Sequence, residues 1–176
     1  MKTYIALLKG INVGGHKKVS MAELRDLLAK SGFQNVQTYI QSGNVIFKSV
    51  DETHNIEVKI SNLISVHFGF DVSVIVKTNP ELQLIFDSCP FENAKKEKSY
   101  FIILNKIPER NLIEEINKIS YDDEEIIIKN NCLYFYCPKG YGQTKFNMST
   151  YERKLKVNGT SRNYNAMVKL LSLSTD

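Results

Sequence analysis

The hydrophobic patterning of this 176-residue chain predicts an α+β protein made of two βαββ-containing repeats, followed by two C-terminal helices. Three observations carry that prediction. Up to about residue 78, period-two and helical apolar patterns follow one another in the order β-α-β-β-α-β. After Pro80 that order partly recurs. The composition is that of an ordinary globular chain, 43% hydrophobic and 24% charged. A chain of this size buries roughly 70% of its unfolded surface, so its core needs no metal or disulfide.

The elements follow in order. Tyr4 to Ile11 is an apolar strand ended by the Asn12-Val13-Gly14-Gly15 loop. Ser20-Met21-Ala22-Glu23 is a capping box, expected to satisfy two amides at a helix start. Met21, Leu24, Leu27 and Leu28 then recur at helical spacing, and Gly32 ends the helix. Residues 36–40 and 45–48 form a hairpin around Gln41-Ser42-Gly43-Asn44. Ile56, Ile60, Leu63, Ile64 and His67 share one face of a second helix closed by Gly69, and Val72, Val74 and Val76 alternate in a fourth strand. This is the ferredoxin-like order.

In the second half a short helix runs from Pro80 to Phe86, and 93–98 is a loop. A strand at 100–104 leads to a helix after Pro108 that carries Leu112, Ile113, Ile116 and Ile119. Strands at 125–128 and 133–137 pair across the turn Asn130-Asn131. The pattern then leaves the repeat and ends in helices at 149–155 and 162–173. The expected division is a first ferredoxin-like repeat, 1–78, and a second, partial repeat with the C-terminal helices, 79–176, in one globular unit.

The formal charge of +4 is unevenly spread. Residues 1–20 hold Lys2, Lys9, Lys17 and Lys18 and no acid; residues 139–169 hold seven cations against Glu152. Seven acids between Glu109 and Glu125 face only Arg110 and Lys118. Segregated charge makes a local field, and the basic segments attract phosphates or other anions. The opening apolar stretch is cut short at Lys9-Gly10, and no apolar run reaches the roughly 20 residues of a membrane span. Cys89, Cys132 and Cys137 are an odd number, against a secreted disulfide framework. Cys132 and Cys137, five apart on a strand, point to opposite faces and cannot share a metal there. A cytoplasmic protein with buried, reduced thiols and no membrane association is expected.

Three motifs carry the functional candidates. In the stretch from Lys9 to Lys18, glycines allow backbone amides to approach a ligand, a helix N-terminus lies just beyond, and lysines add charge. It matches neither nucleotide-binding glycine fingerprint. Its candidates are Lys9, Asn12, Gly14, Gly15, Lys17 and Lys18, and His16 is a potential base. At the hairpin, Gln41, Ser42 and Asn44 offer uncharged hydrogen-bonding groups, although Ser-Gly-Asn equally suits a plain turn. Ser42 has neither a nucleophile-elbow context nor an assignable His or Asp. Near the C-terminus, Lys145, Arg162, Asn163 and Asn165 stand out. Thr160 or Ser161 would cap the last helix, and Arg162 in its first turn could hold a phosphate or carboxylate through two N–H groups. Tyr134 and Tyr136 share a strand face and could stack bases, but the aromatic signature of RNA-recognition modules is absent.

Ala6 to Gly15, Thr38 to Val45 and Thr160 to Asn165 together resemble the bacterial "domain of unknown function 1697" family. Lys9 stands where that pattern often has Arg, and Tyr164 where it often has Trp. The resemblance implies two ferredoxin-like repeats and brings no activity, substrate or cofactor. The leading expectation is a binding protein for a phosphorylated small molecule or nucleotide, without a cofactor or metal. Nucleic-acid binding is the alternative. An enzyme acting on a phosphorylated substrate ranks last, because no catalytic constellation is identifiable.

Overall fold

A computed structural model describes residues 1–175. The fold is mixed α+β, with two four-stranded antiparallel sheets and seven α-helices among the described residues. The chain divides into two compact units, one of Met1–Gln83 together with the residues from Lys169 onward, the other of Leu84–Val168.

In the first unit β1 (Lys2–Leu8), α1 (Met21–Lys30), β2 (Gln34–Tyr39), β3 (Asn44–Ser49), α2 (Thr53–Phe68) and β4 (Val74–Thr78) appear in the expected order. Their sheet is ordered β2-β3-β1-β4, so β1 lies between β3 and β4. Alternation along β1 and β3 sends Tyr4, Ala6, Leu8, Val45 and Phe47 to one face. There they pack with Leu24 and Leu28 of α1 and with Ile56, Ile60 and Ile64 of α2. Ile5, Leu7, Ile46 and Ile75, on the opposite face, are buried too.

Two local readings change. The apolar run that reads as strand to Ile11 stops pairing at Leu8, and Ile11 is instead a buried anchor under the adjoining loop. The capping box is half made. Ser20 Oγ accepts from the Glu23 amide at 3.4 Å, but the Glu23 carboxylate pairs with His67 Nε2 of α2 at 2.8 Å.

The second unit begins at Leu84, within α3 (Asn79–Asp87), and continues with α4 (Asn93–Lys96), a single turn where the sequence reads as loop. Then come β5 (Ser99–Leu104), α5 (Arg110–Ile116), β6 (Glu125–Lys129), β7 (Cys132–Tyr136), α6 (Met148–Leu155), β8 (Gly159–Asn163) and α7 (Tyr164–Leu173), whose residues from Lys169 onward belong to the first unit. The sheet order is β6-β7-β5-β8, the same permutation as in the first unit. The sequence pattern predicts a partial repeat closed by two helices; β8 lies between those helices and supplies the fourth strand. It pairs along β5 from Tyr100↔Asn163 to Leu104↔Gly159. Its composition, Gly-Thr-Ser-Arg-Asn, has no apolar alternation, so its strand identity comes from that ladder.

Ile102, Leu104, Leu133, Phe135 and Cys137 form one face of this core with Ile116 of α5 and with Tyr151 and Leu155 of α6. Cys132 is buried on the other face, as its odd spacing from Cys137 requires. No helix among the described residues is long and apolar enough to cross a membrane.

Candidate functional site

The glycine-rich loop leaves the end of β1, and hydrogen bonds fix its starting point. The Leu8 amide donates to the Gly43 carbonyl at 2.8 Å, and the Lys9 amide to the Ser73 carbonyl at 3.0 Å. Both the β2–β3 turn and the approach to β4 are thereby tied to the end of β1. Gly43 sits at φ +85°, and a Cβ placed there would lie 2.7 Å from Leu8 Cβ and 3.0 Å from the Leu8 carbonyl oxygen. Glycine is therefore required by both backbone conformation and close approach.

Beyond Lys9 the chain repeatedly enters the left-handed region, at Gly10, Asn12, Gly14, Gly15 and Lys17. Asn12 holds this loop together. Its Oδ1 accepts from the Val19 amide at 2.8 Å, while its Nδ2 donates to the carbonyls of Val19 at 3.0 Å and Gln41 at 2.9 Å. Its amide donates to the Lys17 carbonyl at 3.1 Å, and that of His16 to the Val13 carbonyl at 3.0 Å. Asparagine tolerates φ +55° better than other non-glycine residues and closes such turns with its side chain. The tip, Val13 to Lys18, is exposed. Among the described residues the amides of Gly14 and Gly15 meet no acceptor. Two exposed left-handed glycines thus present their amides as open hydrogen-bond donors.

The structure thus joins the first two motifs at one end of one sheet. It also divides their residues by role. Asn44 is completely buried, its Nδ2 donating to the Tyr39 carbonyl at 3.1 Å and to Ser42 Oγ at 3.0 Å. Asn12 and Asn44 therefore build the scaffold, whereas Gly14, Gly15, Lys17 and Lys18 present its surface. Gln41 and Ser42 are exposed beside them, and Lys9 is half-exposed. Lys17 Nζ donates to the Asp71 carbonyl at 2.6 Å, which draws that side chain toward the start of β4. Two features were not legible locally. Asp71 is distant in sequence. Ile40, a β-branched residue, takes φ +49° while 52% exposed, a strained conformation in a turn whose composition already accounts for a bend.

The remaining candidates belong to the second unit. Arg162 is not in a helical first turn. It lies on β8, 6% exposed, with Nη1 donating to Thr160 Oγ1 and to the Ser161 carbonyl, each at 2.8 Å. Burial lowers its pKa from the usual guanidinium value to about 10, so it remains cationic at neutral pH. The cap of α7 is the Asn163 side chain, whose Oδ1 accepts from the Ala166 amide at 2.9 Å, in place of Thr160 or Ser161. Asn165 is exposed.

Lys145 lines a cleft of about 410 Å³ with Asp122, Asp123, Glu124 and Lys139. Lys139 Nζ pairs with Asp123 at 2.6 Å and holds that carboxyl below its ordinary range. Thr144 Oγ1 donates to Glu124 at 2.7 Å, so the acidic segment and the start of the basic one answer each other here. Tyr134 is 1% exposed, its hydroxyl donating to the Ile85 carbonyl at 2.7 Å, and it offers no stacking surface.

The fold and this loop define an α+β chain of two antiparallel sheets, with a lysine-flanked glycine loop at the end of the first. The chain belongs to the family described as "Protein of unknown function (DUF1697)", whose profile matches residues 1–134. It is similar to the solved structure of the conserved bacterial protein SP0830 from Streptococcus pneumoniae, at 25% identity and a TM-score of 0.75 over 98% of each chain. None of the curated proteins compared matches the chain.

Proposed function

We propose that this protein binds a phosphate-containing small molecule or nucleotide, and that the phosphate sits against the Val13–Lys18 tip of the first unit. One observation carries the reading: Gly14 and Gly15 are both left-handed and exposed, with their amides open, between a loop base locked by Asn12 and the cations Lys17 and Lys18. A preformed loop binds without paying to order itself. The strained Ile40, whose conformation costs roughly 1–3 kcal/mol, supports a functional role for the adjoining turn. The shared strand permutation supports reading each unit as ferredoxin-like and the second as a repeat of the first. Buried Cys132 and Cys137, with raised pKa values, suit the cytoplasm, where thiols stay reduced.

A thermal-shift panel of nucleotides and sugar phosphates tests this proposal. The expected result is stabilisation by at least one of them, lost in a Lys17→Gln, Lys18→Gln double variant that keeps the parent melting temperature. Absence of stabilisation across the panel, or stabilisation undiminished in that variant, defeats it.

A further inference from the structure

The second unit repeats, hydrogen bond for hydrogen bond, the strand-end geometry from which the glycine loop of the first unit departs. The Leu104 amide donates to the Asn131 carbonyl at 2.8 Å and the Asn105 amide to the Asn158 carbonyl at 2.9 Å. In the first unit Leu8 and Lys9 make the corresponding bonds to Gly43 and Ser73. The two positions also match in the ladders, where Leu8 pairs with Val74 and Leu104 with Gly159. Past the strand end the two units diverge. Instead of a glycine loop, the end of β5 opens on a cleft of about 530 Å³ lined by Asn105, Lys106, Ser149, Arg153, Lys156 and Asn158.

We infer that this cleft is a second oxyanion site, one that takes a phosphate or diphosphate group between Lys106, Arg153 and Lys156. It would bind whether or not the glycine loop binds anything. Three cations line the cleft against one carboxylate, Glu152, and that carboxylate is occupied. Its Oε1 accepts from the Gly159 amide at 2.8 Å. Asn105 and Asn158 brace the rim, because the Asn158 amide donates back to Asn105 Oδ1 at 2.9 Å. That bond orients the Asn105 carboxamide, whose nitrogen retains donor capacity.

The backbone at Lys156 is the least expected part. α6 ends in a left-handed residue at φ +55°, ψ +46°, a position that usually belongs to glycine. A lysine there strains the backbone where a glycine would not. It is held between two buried anchors, Leu155 and Val157, and places its charge at the cleft. Compensation of the helix dipole would account for Arg153 and Lys154 alone. It does not account for Lys106, which follows the end of β5, or for the paired asparagines. The amides of Lys156 and Val157 both cap the Glu152 carbonyl, which blunts the negative end of the helix where an anion would approach.

The probe is sodium pyrophosphate, titrated at constant ionic strength against sodium chloride and followed by backbone amide NMR of the whole chain. Saturable shifts at Lys106, Ser149, Arg153, Lys156 and Asn158 are expected. Lys156→Asn keeps a residue that tolerates the left-handed backbone while removing the charge, and Arg153→Gln removes the second cation. Each should weaken binding at least about threefold. Lys154→Gln, on the same helix but outside the cleft, should leave it unchanged. Three results would each overturn the inference: shifts that never saturate, shifts spread over all lysines alike, or equal weakening by all three variants. The Lys17→Gln, Lys18→Gln variant separates the two sites, since it should abolish the response of the glycine loop and leave this one intact.

Discussion

Replacing Asn12 with alanine removes three hydrogen bonds together, those to the Val19 amide, the Val19 carbonyl and the Gln41 carbonyl, at 2.8, 3.0 and 2.9 Å. A protein hydrogen bond contributes about 0.5–1.5 kcal/mol net, and the partly exposed setting puts these three toward the lower half of that range. Alanine at φ +55° adds roughly 1 kcal/mol of backbone strain that asparagine largely avoids. The expected destabilisation is about 2–4 kcal/mol. At roughly 2–4 °C per kcal/mol for a chain of this length, the melting temperature should fall by about 5–15 °C. Asn12→Gly separates the two terms, since it loses the bonds but accepts the backbone, and should lie about 1 kcal/mol above Asn12→Ala. Thermal unfolding of all three proteins measures the totals, and hydrogen exchange at the Val19 amide reports the local bond. An alanine variant within about 0.5 kcal/mol of the parent, with Val19 exchange unchanged, would refute the claim that this side chain sets the loop.

Gly43→Ala should cost about 2–4 kcal/mol in denaturant unfolding, because its Cβ would overlap Leu8 at 2.7 Å in a backbone conformation unfavourable to alanine. A loss below about 0.5 kcal/mol would mean the β1 end and the turn can separate freely. Arg162→Ala should destabilise by about 2–4 kcal/mol, since removing a buried guanidinium leaves a cavity and strands Thr160. A variant of parental stability would show the guanidinium to be dispensable to the core. Alkaline stability provides a further check. Burial raises the pKa of Tyr141 to about 12 and raises those of Tyr134 and Tyr151 as well. The folded state thus keeps protons that the unfolded chain releases near pH 10, so stability should be intact below about pH 10 and fall as pH rises toward 12. Tyrosinate absorbance should show a late, cooperative component coincident with unfolding; a melting temperature flat across that window would contradict it.

The candidate site shows where local reading stops. The glycines, lysines and asparagines of the two first-unit motifs were visible in the sequence as a set of residue types. Their division into scaffold and surface was not. Asn12 and Asn44 look like ligand contacts in a string of letters, yet their carboxamides are engaged by the backbone of neighbouring segments. Lys106, Arg153 and Lys156 appear in sequence only as scattered charges, because the cleft they line is assembled by the Asn105–Asn158 pairing across 53 residues.

Periodicity alone determined most of the elements, since whether an amphipathic segment is helix or strand depends on which of its own residues must share a face. It also placed Cys132 and Cys137 on opposite faces, while turn composition marked the loop at Gly14-Gly15. Only tertiary structure decided β8, where Arg162 is buried on a strand without an apolar pattern. That segment becomes a strand because β5 has an open edge to pair with, and hydrogen-bonding potential at an edge is a property of the neighbour. The same holds for Glu23, which in isolation would close its own helix cap but in the folded chain finds His67 of α2. Local preferences of about 1 kcal/mol yield wherever a distant partner offers a better bond.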